Sequence, residues 1–100
     1  MKIQVLPPAR AELVDAVASY ERQEGGLGFR LWEEVDLHVD WIARNPSIPR
    51  MRLGGYRRVN LKTFPYYLAY ISRSDSIWIL AIANAYRQPE YWIERIKEAD

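Results

Sequence analysis

The side chains best suited to chemistry in this sequence form an arginine and aromatic set: Arg57, Arg58, Tyr66, Tyr67, Tyr70, Tyr86, Arg87, Tyr91 and Trp92. Guanidinium groups pair with phosphate or carboxylate oxygens, and flat rings stack on bases or on arginines. Such a set suits binding to a polyanion, or holding the charge of a reacting phosphate. For Tyr70, Trp78 and Trp92 the plainer reading, aromatic core, is preferred. Arg87 reads the other way, because it ends a long apolar run just before Gln88-Pro89, at a strand-to-turn corner where functional side chains concentrate.

Other catalytic constellations are missing. His38 is the only histidine, set among Val35, Leu37, Val39 and Trp41 with no second histidine and no carboxylate at ligand spacing, so it reads as a packing or surface residue. Gly25-Gly26-Leu27-Gly28 lacks the lysine of a phosphate loop and joins helix to helix, which makes it a turn. The carboxylates fall on helical stretches as a solvated face. Without cysteine there is no thiol chemistry, disulfide or zinc-thiolate centre. No metal and no cofactor is expected.

The elements that must position the set follow from periodicity. Ile3 and Val5 alternate with Lys2 and Gln4, predicting a strand over 2–6, and Pro7-Pro8 end it. From Ala9, the positions Leu13, Val17 and Tyr20 recur at helical spacing and predict a first helix to about Gln23, stopped by Gly25-Gly26. Phe29, Trp32, Val35, Val39 and Ile42 predict a second helix over 27–44 whose buried stripe they form, with Leu31 and Trp41 flanking it. After the proline-bearing loop 45–49 and Gly54-Gly55 come three strand-like runs, Tyr56 to Leu61, Tyr66 to Ser72 and Ile77 to Asn84, joined so tightly that they must pair antiparallel. In the first run Arg58 shares a side with Tyr56 and Asn60, while Arg57 points with Val59 and Leu61. Pro89 opens a last short helix through Tyr91, Trp92, Ile93 and Ile96. The expectation is an α+β fold of order β-α-α-β-β-β, with an N-terminal helical hairpin packed on an antiparallel sheet and a short C-terminal helix.

One hundred residues, 49% apolar and 27% charged, make one folded domain spanning 1–100. No apolar run reaches bilayer length and the N-terminus lacks a signal-peptide core, so a cytoplasmic location is expected. The net charge of +1 hides an asymmetry: from Arg44 to Arg73 there are seven basic residues (Arg44, Arg50, Arg52, Arg57, Arg58, Lys62, Arg73) and no acidic one. Such a stretch can face an anion, whether phosphate backbone or an acidic partner segment.

The order "ARAELVDAVASYERQEGGLGFRLWEEV", "IARNPSIP", "YRRVNLKTFPYYLAYI", "IWILAIANAYRQPEYWIERI" resembles the RelE/ParE superfamily of toxins from bacterial type II toxin-antitoxin modules, formerly labelled plasmid-stabilisation proteins. The specific parts are Arg57-Arg58 followed by Phe64-Pro65-Tyr66 and Tyr70, and the strand that ends in Arg87-Gln88-Pro89-Glu90-Tyr91-Trp92. The resemblance implies a helical hairpin against an antiparallel sheet, and one of two activities. RelE-like members are ribosome-dependent mRNA endonucleases; ParE-like members share the fold and poison DNA gyrase. Carried over by motif, Arg57 takes a basic position of the first central strand and Arg87 the arginine ending the last. Val59 and Tyr67 stand where the nuclease branch carries two further cations, Asn84 where many relatives carry histidine, and Tyr91 or Trp92 only approximates its terminal tyrosine. Missing cations would forfeit ~2–4 kcal/mol each of transition-state stabilisation.

The resemblance therefore favours a ParE-like gyrase inhibitor that is not itself a hydrolase, neutralised by an antitoxin encoded in the same operon. The alternatives are an mRNA endonuclease using Arg57, Arg58, Arg87, Tyr91 and Trp92, and a non-toxic binding module. Expected target contacts are Arg57, Arg58, Tyr66, Tyr67, Arg87 and Trp92. Expected antitoxin contacts are Leu31, Trp41, Arg50, Arg52 and Arg58, in a toxin-antitoxin hetero-oligomer away from any membrane.

Overall fold

A computed structural model describes residues 1–99 of the chain. Strand β1 (Lys2–Val5) leads into helix α1 (Pro7–Gln23), helix α2 (Leu27–Arg44), then strands β2 (Arg57–Asn60), β3 (Tyr66–Arg73) and β4 (Ser76–Asn84), and a C-terminal 3-10 helix (Ile93–Glu98). The order and the α+β class are those expected. The sheet order is β1-β4-β3-β2, with β2, β3 and β4 antiparallel. One correction concerns β1, which lies parallel to β4 from Lys2↔Ser76 to Val5↔Ile79. The sheet is therefore mixed: the helical hairpin carries the chain far enough for a parallel strand to take the open edge of β4, which tight turns alone could not do. No helix among the described residues is long and apolar enough to cross a membrane.

Two cores sandwich the sheet. Leu13, Leu31, Val35 and Ile42 of the hairpin pack on Leu68, Tyr70, Ile77, Ile79 and Ile82. On the other face Tyr56, Tyr67, Ala69, Ile71 and Leu80 lie under Trp92, Ile93, Ile96 and Ala99. Between Ala69↔Ala81 and Tyr70↔Ile79 the register shifts, leaving Leu80 as an extra residue of β4. This bulge is why Leu80 and Ala81 both point to the second core while their flanking Ile79 and Ile82 point to the first.

The hairpin is set by glycines and one carboxylate. Gly26 stands at φ 92, a left-handed conformation costly for other residues, and the Glu21 carboxylate accepts the Gly26 and Gly28 N–H groups at 2.8 and 2.9 Å. At Gly28 the helices touch: a Cβ there would sit 2.4 Å from the Val17 carbonyl oxygen. This contact rotates α2 relative to the expected stripe. Leu31, Val35 and Ile42 are its fully buried apolar positions, while Phe29 is 63% exposed. Counting apolar residues gives glycine no weight, so the face that approaches closest was the one the pattern missed. A Gly28→Ala variant should lose about 1–3 kcal/mol of stability, read from its urea midpoint, because the backbones must part to admit the methyl.

Candidate functional site

Arg57 and Arg58 leave β2 on opposite faces. Arg57, on the helix side, donates to the carbonyls of Ser47 and Pro49 at 3.4 and 2.5 Å, and beside it the Tyr70 hydroxyl donates to Pro46 O at 2.8 Å. Both side chains hold the loop after α2. Arg58, on the other face, stacks 3.7 Å above the Tyr67 ring and donates to Asn60 Oδ1 at 2.8 Å. A single phosphate does not receive both guanidinium groups.

Tyr67 is itself buried, and its hydroxyl accepts the Trp92 indole N–H at 2.8 Å. Trp92 is 1% exposed, with the Tyr56 ring edge-on at 4.6 Å. The expectation that Tyr67 and Trp92 meet a target is corrected here: a ring enclosed on all sides cannot stack on a base, and the second core needs its bulk. Leu31, expected on the antitoxin surface, is likewise fully buried under the hairpin.

Tyr56 donates to the Glu90 carboxylate at 2.5 Å, and Glu90 holds a left-handed φ of 58. Burial, then the hydrogen bond and charge of Glu90, push the Tyr56 hydroxyl up to about 12. The folded chain thus keeps this proton to higher pH than the unfolded chain, whose tyrosine titrates near ~10. The resulting stabilisation is complete below that value and disappears as pH rises to about 12. Unfolding free energies from urea titrations between about pH 9 and about pH 12 should therefore fall less for Tyr56→Phe than for wild type, by up to about 2 kcal/mol.

Tyr66, Arg87 and Tyr91 do come together, with Asn84, Asp15 and Ser19, around an open cleft of about 260 Å³ between α1 and the end of β4. Arg87 lies 3.8 Å above the Tyr91 ring. The Tyr91 hydroxyl donates to Glu12, and burial first, then that bond and the Glu12 charge, raise its pKa. Two carboxylates, Glu12 and Asp15, line this cleft, so a phosphate entering it meets like charge. Of the five residues of the nuclease reading, Arg87 and Tyr91 share a place; Arg57, Arg58 and Trp92 are each engaged elsewhere.

Sequence reasoning missed the hub behind that cleft. Glu12 Oε1 accepts the Ile82 N–H and Arg95 Nη1, both at 3.0 Å, and Oε2 accepts Arg95 Nη2 and the Tyr91 hydroxyl. Arg95 also donates to the Leu80 carbonyl, at the bulge, at 3.1 Å. Beyond Val5↔Ile79, β4 runs on without a β1 partner, and α1 supplies the acceptor for its free N–H.

A second concave surface runs between α2 and the open edge of β2, a groove of about 450 Å³ lined by Leu37, His38 and Trp41 on one wall and Val59, Asn60 and Thr63 on the other. His38, half-buried on the α2 wall, donates from Nδ1 to the Glu34 carbonyl at 2.8 Å. Glu34 in turn accepts the backbone N–H groups of Lys62 and Thr63 at 2.5 and 3.0 Å, which clamps the β2–β3 turn to α2. Trp41 is half-buried on the groove wall. Above the hairpin, Val14, Phe29 and Trp32 leave large apolar side chains exposed.

No family model matches the sequence, and no curated protein matches it. Solved structures do. A chain described as "Chromosomal ParDE TA system from P. aeruginosa" superposes with a TM-score of 0.74 at 19% identity, covering 84% of this chain and 95% of that chain. At this identity the likeness is one of fold, and the fold implied by the motif order is the fold this chain has.

Proposed function

We propose that this chain is the toxin of a type II toxin-antitoxin module, acting in the cytoplasm as a ParE-like inhibitor of DNA gyrase and neutralised by an antitoxin encoded beside it. The observation that carries the reading is the likeness of fold, over most of both chains, to a protein of a ParDE toxin-antitoxin system. Against RNA cleavage stands the geometry of the arginines: Arg57 holds loop carbonyls on one face of the sheet and Arg58 stacks on Tyr67 on the other. The test is purified protein added to gyrase and DNA. Supercoiling should fall and a cleaved-DNA complex should accumulate; unaffected gyrase rejects this target. New mRNA ends positioned by codon in expressing cells would favour the ribosome-dependent endonuclease instead.

The neutralising surface in this reading is the hairpin and the groove beside it. An acidic amphipathic segment lays a helix over Val14, Phe29 and Trp32, reaches the groove at Leu37 and Trp41, and adds a strand at the free edge of β2. Arg58 meets its carboxylates, which speeds encounter more than it deepens affinity. Trp41→Ala and Arg58→Glu, made separately and checked for folding, should each weaken antitoxin binding by at least ~10-fold, about 1.4 kcal/mol. If neither does, the antitoxin lies elsewhere.

A further inference from the structure

The loop between α2 and β2 is built as a projection. Its first half is held from below: Tyr70 donates to Pro46 O, and Arg57 to Ser47 O and Pro49 O. Its second half closes on itself, with Arg52 N–H donating to Tyr56 O at 2.7 Å, Gly55 N–H to Arg52 O at 2.9 Å, and Gly54 and Gly55 in left-handed conformations at φ 101 and 88. The ordering entropy of a loop so tied is already lost before any partner arrives.

What it holds up is apolar. Ile48 is 70% exposed, Met51 55% and Leu53 96%, and Arg50 and Arg52 alternate with the last two. A lone exposed aliphatic residue is ordinary, but three on one clamped loop are apolar area that calls for a function. The loop itself carries no carboxylate, since none occurs from Arg44 to Arg73; Glu90, bonded to Tyr56 at its base, is a single acid against Arg50 and Arg52, a balance that favours an acidic partner.

We propose that this tip is where the toxin grips its protein target: Met51 and Leu53 enter an apolar pocket whose rim carboxylates meet Arg50 and Arg52. The proposal rests on the toxin reading above. A protein fits better than a nucleic acid, because the projecting area is aliphatic and carries no ring for a base to stack on. The target fits better than the antitoxin, because the loop enters β2 at Arg57 while the groove reaches past its other end to Lys62 and Thr63. Arg50 and Arg52, expected from sequence on the antitoxin surface, move to the target surface in this proposal.

The test is a double variant, Met51→Glu with Leu53→Glu, in the full chain. Both side chains are exposed, so it should melt with the wild type. Expressed without antitoxin, the wild type should arrest growth and the variant should not, while the variant's affinity for the antitoxin stays within ~3-fold of wild type. A variant that arrests growth as fully as wild type overturns this proposal alone. A drop of ~10-fold or more in antitoxin affinity makes the tip an antitoxin contact and overturns it too. So does binding of the purified wild type to a random-sequence DNA duplex that the double variant loses. A wild type that leaves growth untouched removes the toxin reading and this proposal with it.

Discussion

A Glu12→Ala variant is expected to lose about 3 kcal/mol of stability, a large share of the ~5–15 kcal/mol that holds a domain of this kind folded. The loss is large because Glu12 is the common acceptor of four donors from three residues: the Ile82 N–H, both terminal nitrogens of Arg95 and the Tyr91 hydroxyl. Removing it leaves a guanidinium that is only 19% exposed without its counter-charge, and a strand N–H without an acceptor. The figure sits at the low end for a buried pair, since both partners keep some contact with water. Burial works against the charge of Arg95, and its bonds to Glu12 outweigh that, holding its pKa above the ordinary value. Glu12→Gln should recover little: an amide oxygen still accepts from Ile82, but its NH₂ faces donors and the charge is gone. Urea unfolding of the two variants measures this, and hydrogen exchange should show the segment from Tyr91 to Glu98 opening first. Variants that unfold within ~0.5 kcal/mol of wild type would mean that the cluster contributes geometry without stability.

The reach of sequence reasoning follows from how local each determinant is. Strand β1 before Pro7-Pro8, and α2 from Leu27 to Arg44, lie where period and punctuation put them, because those signals act within a few residues. The alternation that put Arg57 and Arg58 on opposite sides of β2 was equally local, and it already separates the two guanidinium groups. Glu12 carried no such signal. Its partners stand 70, 79 and 83 residues away, and on α1 it looks like one more solvated carboxylate. The Leu80 bulge was invisible for a related reason: a uniformly apolar strand reads the same on either face, so a register shift leaves no trace in the alternation. Leu53 carries no period or motif of its own in the sequence; its 96% exposure on a loop whose backbone is tied down is a property of the fold alone.

Replacing Trp92 with alanine is expected to cost about 3–5 kcal/mol, more than the Glu12 change, because it empties the largest buried side-chain site of the second core. The indole joins that core in two ways. Its ring meets the edge of Tyr56 at 4.6 Å, and its Nε1 donates to the Tyr67 hydroxyl at 2.8 Å. Trp92→Phe separates the two: the phenyl ring keeps most of the apolar packing and gives up the hydrogen bond, for a loss of about 1–2 kcal/mol. The pair also separates the two readings drawn from sequence, a core ring and a target contact. An interior Trp92 acts on function only through folding. Well below its melting temperature, Trp92→Phe should then arrest growth and bind antitoxin as the wild type does, even though its urea midpoint has moved. The ring would return to the contact surface if a folded Trp92→Phe lost growth arrest while Tyr67→Phe, which removes the same hydrogen bond from the other side, kept it.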